Sequence, residues 1–140
     1  MSNIKRLRLP EDDPTFGSNK IFDLFKYSPA VTVNGLVMIA GQVGIRPDGT
    51  IPETAAEQAR VAFQRLGAIL KHEGLGFEDL VELVTYHVDI GDNLTAFREV
   101  KDEFITSDFP AWTILGVSAL ARDTLYIEIK AVAAARNTAG

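Results

Sequence analysis

From residue 53 to residue 73 the apolar side chains recur with the period of an α-helix. Ala55, Ala59, Ala62, Phe63, Leu66, Ile69 and Leu70 fall on one stripe, while Glu57, Arg60, Gln64, Arg65 and Lys71 face away. Thr54, followed three residues later by Glu57, fits a capping box, and Gly74 fits a left-handed stop. A stripe this wide needs an apolar surface to cover, and the flanking segments read as strands. Ala30–Val33 and residues 36–40 form a predicted hairpin around Asn34-Gly35, a pair that accepts the positive φ angles of a two-residue turn. Pro47-Asp48-Gly49 marks a further turn. Residues 79–90 read as a long strand rich in Val, Thr and Tyr. A second helix is expected over about residues 94–105, after a start signal at Asp92 or Asn93, with Leu94, Phe97, Val100 or Lys101, and Phe104 as its stripe. Residues 112–117 and 124–134 close the chain as strands.

The resulting order is β-β-α-β-α-β, with an extra short edge strand expected within residues 2–9. This is an α+β class. Both helices are crossover connections, and right-handed crossovers place them on one face of a single mixed sheet. Residues 10–29 hold Pro10, Pro14 and Pro29 and read as irregular. Within them, 21–25 is either a turn of helix or a packed loop. The 140 residues make one domain, 1–140, in which 1–26 form the N-terminal strand and irregular arm.

Two helices on one face leave the other face bare. In the last strand Leu125, Ile127, Ile129 and Ala131 point one way, toward the helices, and Tyr126, Glu128, Lys130 and Val132 point the other. Yet residues 36–40 and 112–115 are apolar on both faces, the pattern of strands covered on both sides. The helix-free face is therefore expected to lie against further copies of the chain.

The chain contains no cysteine, which excludes disulfides, thiolate metal sites and a cysteine nucleophile. A net charge of −5 argues against binding a phosphate backbone. The basic run Lys5, Arg6, Arg8 is followed directly by Glu11, Asp12 and Asp13 and reads as a solvated arm. No apolar run approaches the roughly 18 residues of a membrane span or the core of a signal peptide. The expectation is a soluble, cytoplasmic protein without nucleic-acid or membrane partners.

Motifs for familiar chemistries are missing. There is no Gly-x-Ser-x-Gly elbow. Gly41-Gln42-Val43-Gly44 matches neither a dinucleotide fingerprint nor a phosphate loop, so its glycines are assigned to a turn or a close backbone approach. His72 lies in the last turn of the first helix, where the dipole welcomes a cation. His87 and Asp89 share a strand face as two metal ligands would, but no third ligand is near in sequence, and no metal site is assigned. Glu128 stands out as a carboxylate in an apolar strand, pointing at the expected subunit contact. Two readings are open. One is an ion pair with Lys130 or Arg122, or an outward position at a sheet edge. The other is a general acid/base in an interface cleft, its pKa raised by burial.

Several segments together resemble the RidA family (YjgF/YER057c/UK114) of small reactive-intermediate deaminases. They are Tyr27-Ser28-Pro29-Ala30-Val31, Ala40-Gly41-Gln42-Val43, Glu57-Gln58-Ala59, Gly74-Leu75, Phe109-Pro110-Ala111 and Tyr126-Ile127-Glu128-Ile129. They keep the family's order and spacing over residues 27–134, and the first 26 residues are longer than is usual there. The resemblance implies a chorismate-mutase-like protomer, a homotrimer with substrate clefts between subunits, and hydrolysis of 2-imino or 2-enamino acids to 2-oxo acids and ammonia without metal or cofactor. It places the water-handling glutamate at Glu128, the cleft tyrosine at Tyr27 and a backbone contact at Gly41. It also shows departures: the family's carboxylate-binding arginine falls on Trp112, its cleft asparagine on Arg98, and the serine before Gly41 on Ala40. Losing a bidentate guanidinium is not a conservative change. Arg98 is therefore a candidate replacement cation or an exposed helix residue. Trp112, followed by Thr113 and Ile114, is a candidate pocket wall or interface packing. The expected functions are a RidA-like deaminase of divergent specificity, a non-catalytic ligand-binding or holdase-like trimer, or a ribonuclease-type activity, which the acidic charge disfavours.

Overall fold

The computed structural model describes residues 3–136. Strand β1 (Lys5–Arg6) and helix α1 (Lys20–Phe25) belong to the N-terminal arm. Then follow β2 (Ala30–Val33), β3 (Leu36–Val43), α2 (Ala55–His72), β4 (Leu80–His87), α3 (Ile90–Phe104), β5 (Ala111–Gly116) and β6 (Ile127–Ala134). The strands form one six-stranded sheet in the order β1-β2-β3-β6-β4-β5. Strands β4 and β5 pair in parallel and the other neighbours antiparallel. The fold is the expected α+β arrangement, a mixed sheet with two long helices packed on one face.

Local chemistry explains the elements. Asn34 and Gly35 take φ angles of 51° and 78° at the β2–β3 turn. Thr54 Oγ1 accepts a hydrogen bond from the Glu57 N–H at 3.2 Å, capping α2. The reciprocal half of the capping box does not form, because the Glu57 carboxylate turns to Arg60 instead, at 2.6 Å. The core lies between α2, α3 and the sheet. Phe63 is fully buried at its centre, stacked on Phe104 at 5.2 Å between ring centroids and tilted against Phe97 at 5.6 Å. From β6, Ile127, Ile129, Ala131 and Ala133 all face this core and are buried.

Several boundaries differ from expectation. The edge strand within 2–9 is only Lys5–Arg6, and of the two readings of residues 21–25 the helical one holds, within α1. Strand β4 ends at His87, and α3 starts a turn earlier than expected because Asp89 turns left-handed at φ 52°. Asp89 thus leaves the strand, so His87 and Asp89 do not share a strand face. The last strand begins at Ile127. Arg65, expected on the solvent side, is largely buried under the arm, its guanidinium 4.5 Å from the Phe16 ring centroid. The arm itself is anchored: Asp13 accepts from the Thr15 and Phe16 N–H groups and meets His72 Nε2 at 2.7 Å.

The helix-free face is apolar, as expected, yet uncovered within the chain. Leu36 and Met38 are each 41% exposed, and on the edge strand Leu115 is 42% exposed. Among the described residues no helix is long and apolar enough to cross a membrane.

His87 is buried beneath α3, with Phe97 edge-on to its ring at 4.7 Å. Its Nε2 meets the Thr85 hydroxyl at 2.7 Å, and its Nδ1 has no partner. Burial lowers its pKa below the usual 6.5, whereas unfolding restores it. The unfolded chain therefore takes up a proton that the folded state refuses. Stability is complete above the unfolded value and falls as pH drops below it. Urea midpoints measured about one pH unit above and below that value should differ, and the difference should shrink in His87→Gln. Glu128, whose raised pKa acts in the opposite direction, is common to both proteins. An undiminished difference would remove His87 as the cause.

Candidate active site

Glu128 lies on β6 between Ile127 and Ile129, both fully buried against the helices. Strand alternation turns it to the helix-free face. There it stands across from Val43 of β3 and Tyr86 of β4. It is half-buried, and burial alone raises its pKa above the usual 4.5. Among the described residues it makes no ion pair; neither Lys130 nor Arg122 reaches it, so the structural reading of this carboxylate loses its partner.

Strand β3 makes the room. Its register against β6 slips between Ile39 and Gln42, so Ala40 and Gly41 together oppose Lys130 as a β-bulge. A Cβ on Gly41 would lie 2.9 Å from the carboxyl carbon of Glu128 and 3.2 Å from its Cγ. Glycine is the residue that leaves this space open. Gly44 serves a second close approach, since its Cβ would meet the Gln58 Cα at 2.5 Å where β3 runs past α2. Gln58 in turn pins the chain entering β6. It accepts from the Tyr126 N–H at 2.7 Å and donates to the Thr124 carbonyl at 2.8 Å.

Tyr27 follows α1, which ends where Lys26 turns left-handed at φ 59°. Its ring packs edge-on against Phe22 at 5.0 Å. Burial raises the Tyr27 pKa, Arg65 opposes that rise and Glu128 adds to it, so the hydroxyl lies within range of both charges. A cavity of about 540 Å³ borders Tyr27 between the arm and residues 26–29, but Glu128 is not in its wall.

Of the residues singled out in the sequence, the structure brings Tyr27, Gly41 and Glu128 together. The others lie elsewhere. Trp112 pairs in register with Leu83, on the helix side of the sheet. It packs against Phe97 at 6.2 Å, lies under Lys101 Nζ at 4.7 Å, and donates to Thr85 Oγ1 at 2.9 Å. Within one chain it is packing and not a wall of the Glu128 site. Ile114 lies on the same side. Thr113 lies on the helix-free face, but across β4 from β6, and pairs with Val84. Arg98 is exposed on α3, one turn before the lysine that covers Trp112, so the sheet separates it from Glu128. Three neighbours of the site escaped the sequence reading. Tyr86 gave no signal beyond strand alternation. Gln42 and Arg65 were hidden by the bulge and by the arm. Among the described residues no group of three His, Asp or Glu side chains could hold a metal ion.

Gly41 and Glu128 should be energetically coupled. Gly41→Ala meets the movable end of the half-exposed Glu128 side chain and should cost about 1 kcal/mol in urea unfolding. The same change made in Glu128→Ala should cost less by about 0.5 kcal/mol or more, because the colliding group is gone. Additive costs would mean that the two residues do not share this space.

Comparison with known proteins identifies the family. The family model described as Endoribonuclease L-PSP matches residues 18–135. The RutC family protein YjgH of Escherichia coli (strain K12) is 34% identical over 118 residues, 84% of this chain and 88% of that protein. Human 2-iminobutanoate/2-iminopropanoate deaminase is 36% identical over 109 residues, 76% of this chain and 78% of the human one. A solved structure of protein YJGH matches with a TM-score of 0.81 at 29% identity, covering 95% of this chain and 98% of that one. The chain thus belongs to the endoribonuclease L-PSP family, the RidA/YjgF group that its motifs resemble.

Proposed function

We propose that this chain is a soluble, cytoplasmic homotrimeric deaminase that hydrolyses small imines or enamines, such as 2-imino acids, to the carbonyl compound and ammonia. The observation that carries the reading is Glu128: a half-buried carboxylate without an ion partner among the described residues, raised in pKa by burial and set against a glycine. Related proteins named as 2-iminobutanoate/2-iminopropanoate deaminases support it. In this reading the carboxylate takes a proton from water as the oxygen attacks the C=N carbon and gives it to the nitrogen, forming a carbinolamine; it then takes the hydroxyl proton and passes it to the amine as the C–N bond breaks, releasing the carbonyl compound and ammonia. No external acid, base or oxidant is needed. The apolar helix-free face, with Leu36, Met38 and Leu115 exposed, supports burial against sister chains. Edge strand β5 and helix α3 of a neighbouring copy then complete the cleft. Arg98 of that copy holds the substrate carboxylate, Thr113 on the helix-free face borders it, and Trp112 contributes by anchoring α3.

A second reading, ligand binding without turnover, draws on Trp112 at the position where the resemblance implies a carboxylate-binding arginine. Ammonia release from freshly generated 2-imino acids separates the two. Glu128→Gln should lower kcat by about a hundredfold or more, and Arg98→Met should raise KM about tenfold. The acid limb of the wild-type pH profile should lie above 4.5, since the base works only when ionised and burial delays its ionisation. Light scattering should give three chains per particle. Unchanged turnover in Glu128→Gln, or a monomer in dilute solution, would overturn the reading; calorimetric binding without ammonia release would favour the second.

A further inference from the structure

Gln42 is 1% exposed and lies on the helix side of β3. Simple alternation from Val37 and Ile39 would put Gly41 on that side and turn Gln42 toward Glu128. The bulge exchanges them, and the Gln42 side chain closes back over it. Nε2 donates to the Ala40 carbonyl, inside the bulge, at 2.9 Å. Oε1 accepts from Arg65 Nε at 3.3 Å. Arg65 also donates through a terminal nitrogen to the Ile45 carbonyl at 2.9 Å, just beyond β3. The same guanidinium thus holds β3 at Gln42 and at Ile45, while Phe16 of the arm covers it. Arg65 has no carboxylate partner among the described residues, and its pKa is lowered by burial. A cation buried in this way is costly, and an apolar side chain would fill the space under Phe16 at lower cost. What the guanidinium adds is two fixed donors aimed at one strand.

We propose that Gln42 and Arg65 are positioning residues for the Glu128 site, holding the Ala40–Gly41 bulge in the setting that leaves the Gly41 α-carbon over the Glu128 carboxylate. This rests on the catalytic reading of Glu128. Neither residue touches the reacting atoms; both act through the shape of β3. Phe16, and with it the N-terminal arm, becomes part of the support of the site, because it caps the arginine that holds Gln42.

Three variants separate the contacts. Gln42→Met keeps the length and loses both amide bonds. Gln42→Glu keeps an acceptor for Arg65 and loses the donor to Ala40. Arg65→Lys keeps the charge and loses the paired geometry. The two Gln42 variants should lower kcat about tenfold or more with KM changed less than about threefold, and Arg65→Lys should fall between them and wild type. The second readout is the titration of the Glu128 carboxyl, followed by carbon NMR on glutamate-labelled protein and assigned with Glu128→Gln. It should shift in all three. Folded variants with wild-type kcat and a wild-type Glu128 titration would overturn the proposal, as would a lowered melting temperature with both unchanged. If Gln42→Met does not fold, Arg65→Lys decides. If the wild type releases no ammonia, the catalytic reading fails by itself, and the carboxyl titration still shows whether Gln42 and Arg65 set the surroundings of Glu128.

Discussion

The two-residue period of β6 governs the rest of the molecule. Ile127, Ile129, Ala131 and Ala133 are buried to 1% exposure or less, and they face α2 and α3. A slip of one residue would exchange every side chain between faces. It would drive Glu128 and Lys130 into the aromatic cluster around Phe63 and strand the isoleucines outside. Register is therefore enforced by the core, and Glu128 inherits its place from residues it does not touch. Because β6 sits between β3 and β4, it also fixes which strands flank the carboxylate. Gly41 comes from one side and Tyr86 from the other.

Placing a carboxylate there has a cost, and the structure shows how it is kept tolerable. The face is open within one chain, so Glu128 is only half-buried and retains access to water. Its neighbours are a glycine, a valine and two tyrosines, none of which offers a counter-charge. The group is left with a raised pKa and, among the described residues, no ion partner. The same feature that makes Glu128 a poor stabiliser is the one on which the proposed proton transfer rests.

Most of the architecture was readable from periodicity because both long helices and β6 carry strong, uninterrupted patterns. The α2 stripe predicted Ala59, Phe63, Leu66 and Ile69 as core, and all four are fully buried. Where the reading failed, a local backbone event overrode the period. Asp89 in the left-handed region stops β4 and starts α3 within two residues of His87, which a strand rich in Val, Thr and Tyr conceals. The bulge at Ala40–Gly41 reverses the faces of Gln42 and Val43, so alternation counted from Val37 assigns both to the wrong side. Arg65 looked exposed because the segment covering it, around Phe16, is proline-bounded arm with no pattern that predicts where it packs. Glu128 was legible both as a carboxylate out of place in an apolar strand and, through the family resemblance, as a site residue; what the sequence did not show is that among the described residues neither Lys130 nor Arg122 pairs with it.

The edge strand shows why a sequence departure need not act where it is expected. Trp112 occupies the place that the family resemblance gives to a carboxylate-binding arginine, and its size invites a role in the cleft. Its register with Leu83 turns the ring instead toward α3, where Phe97, Lys101 and Thr85 satisfy both its face and its N–H. A side chain so engaged is committed to holding α3 against β5. On the same helix Lys101 is engaged over the indole face, and Arg98, one turn earlier, is exposed. If the cleft is assembled from two chains, the helix that Trp112 anchors brings the second chain's cation to it. In that arrangement the tryptophan would govern substrate binding through the placement of α3, without contacting the substrate.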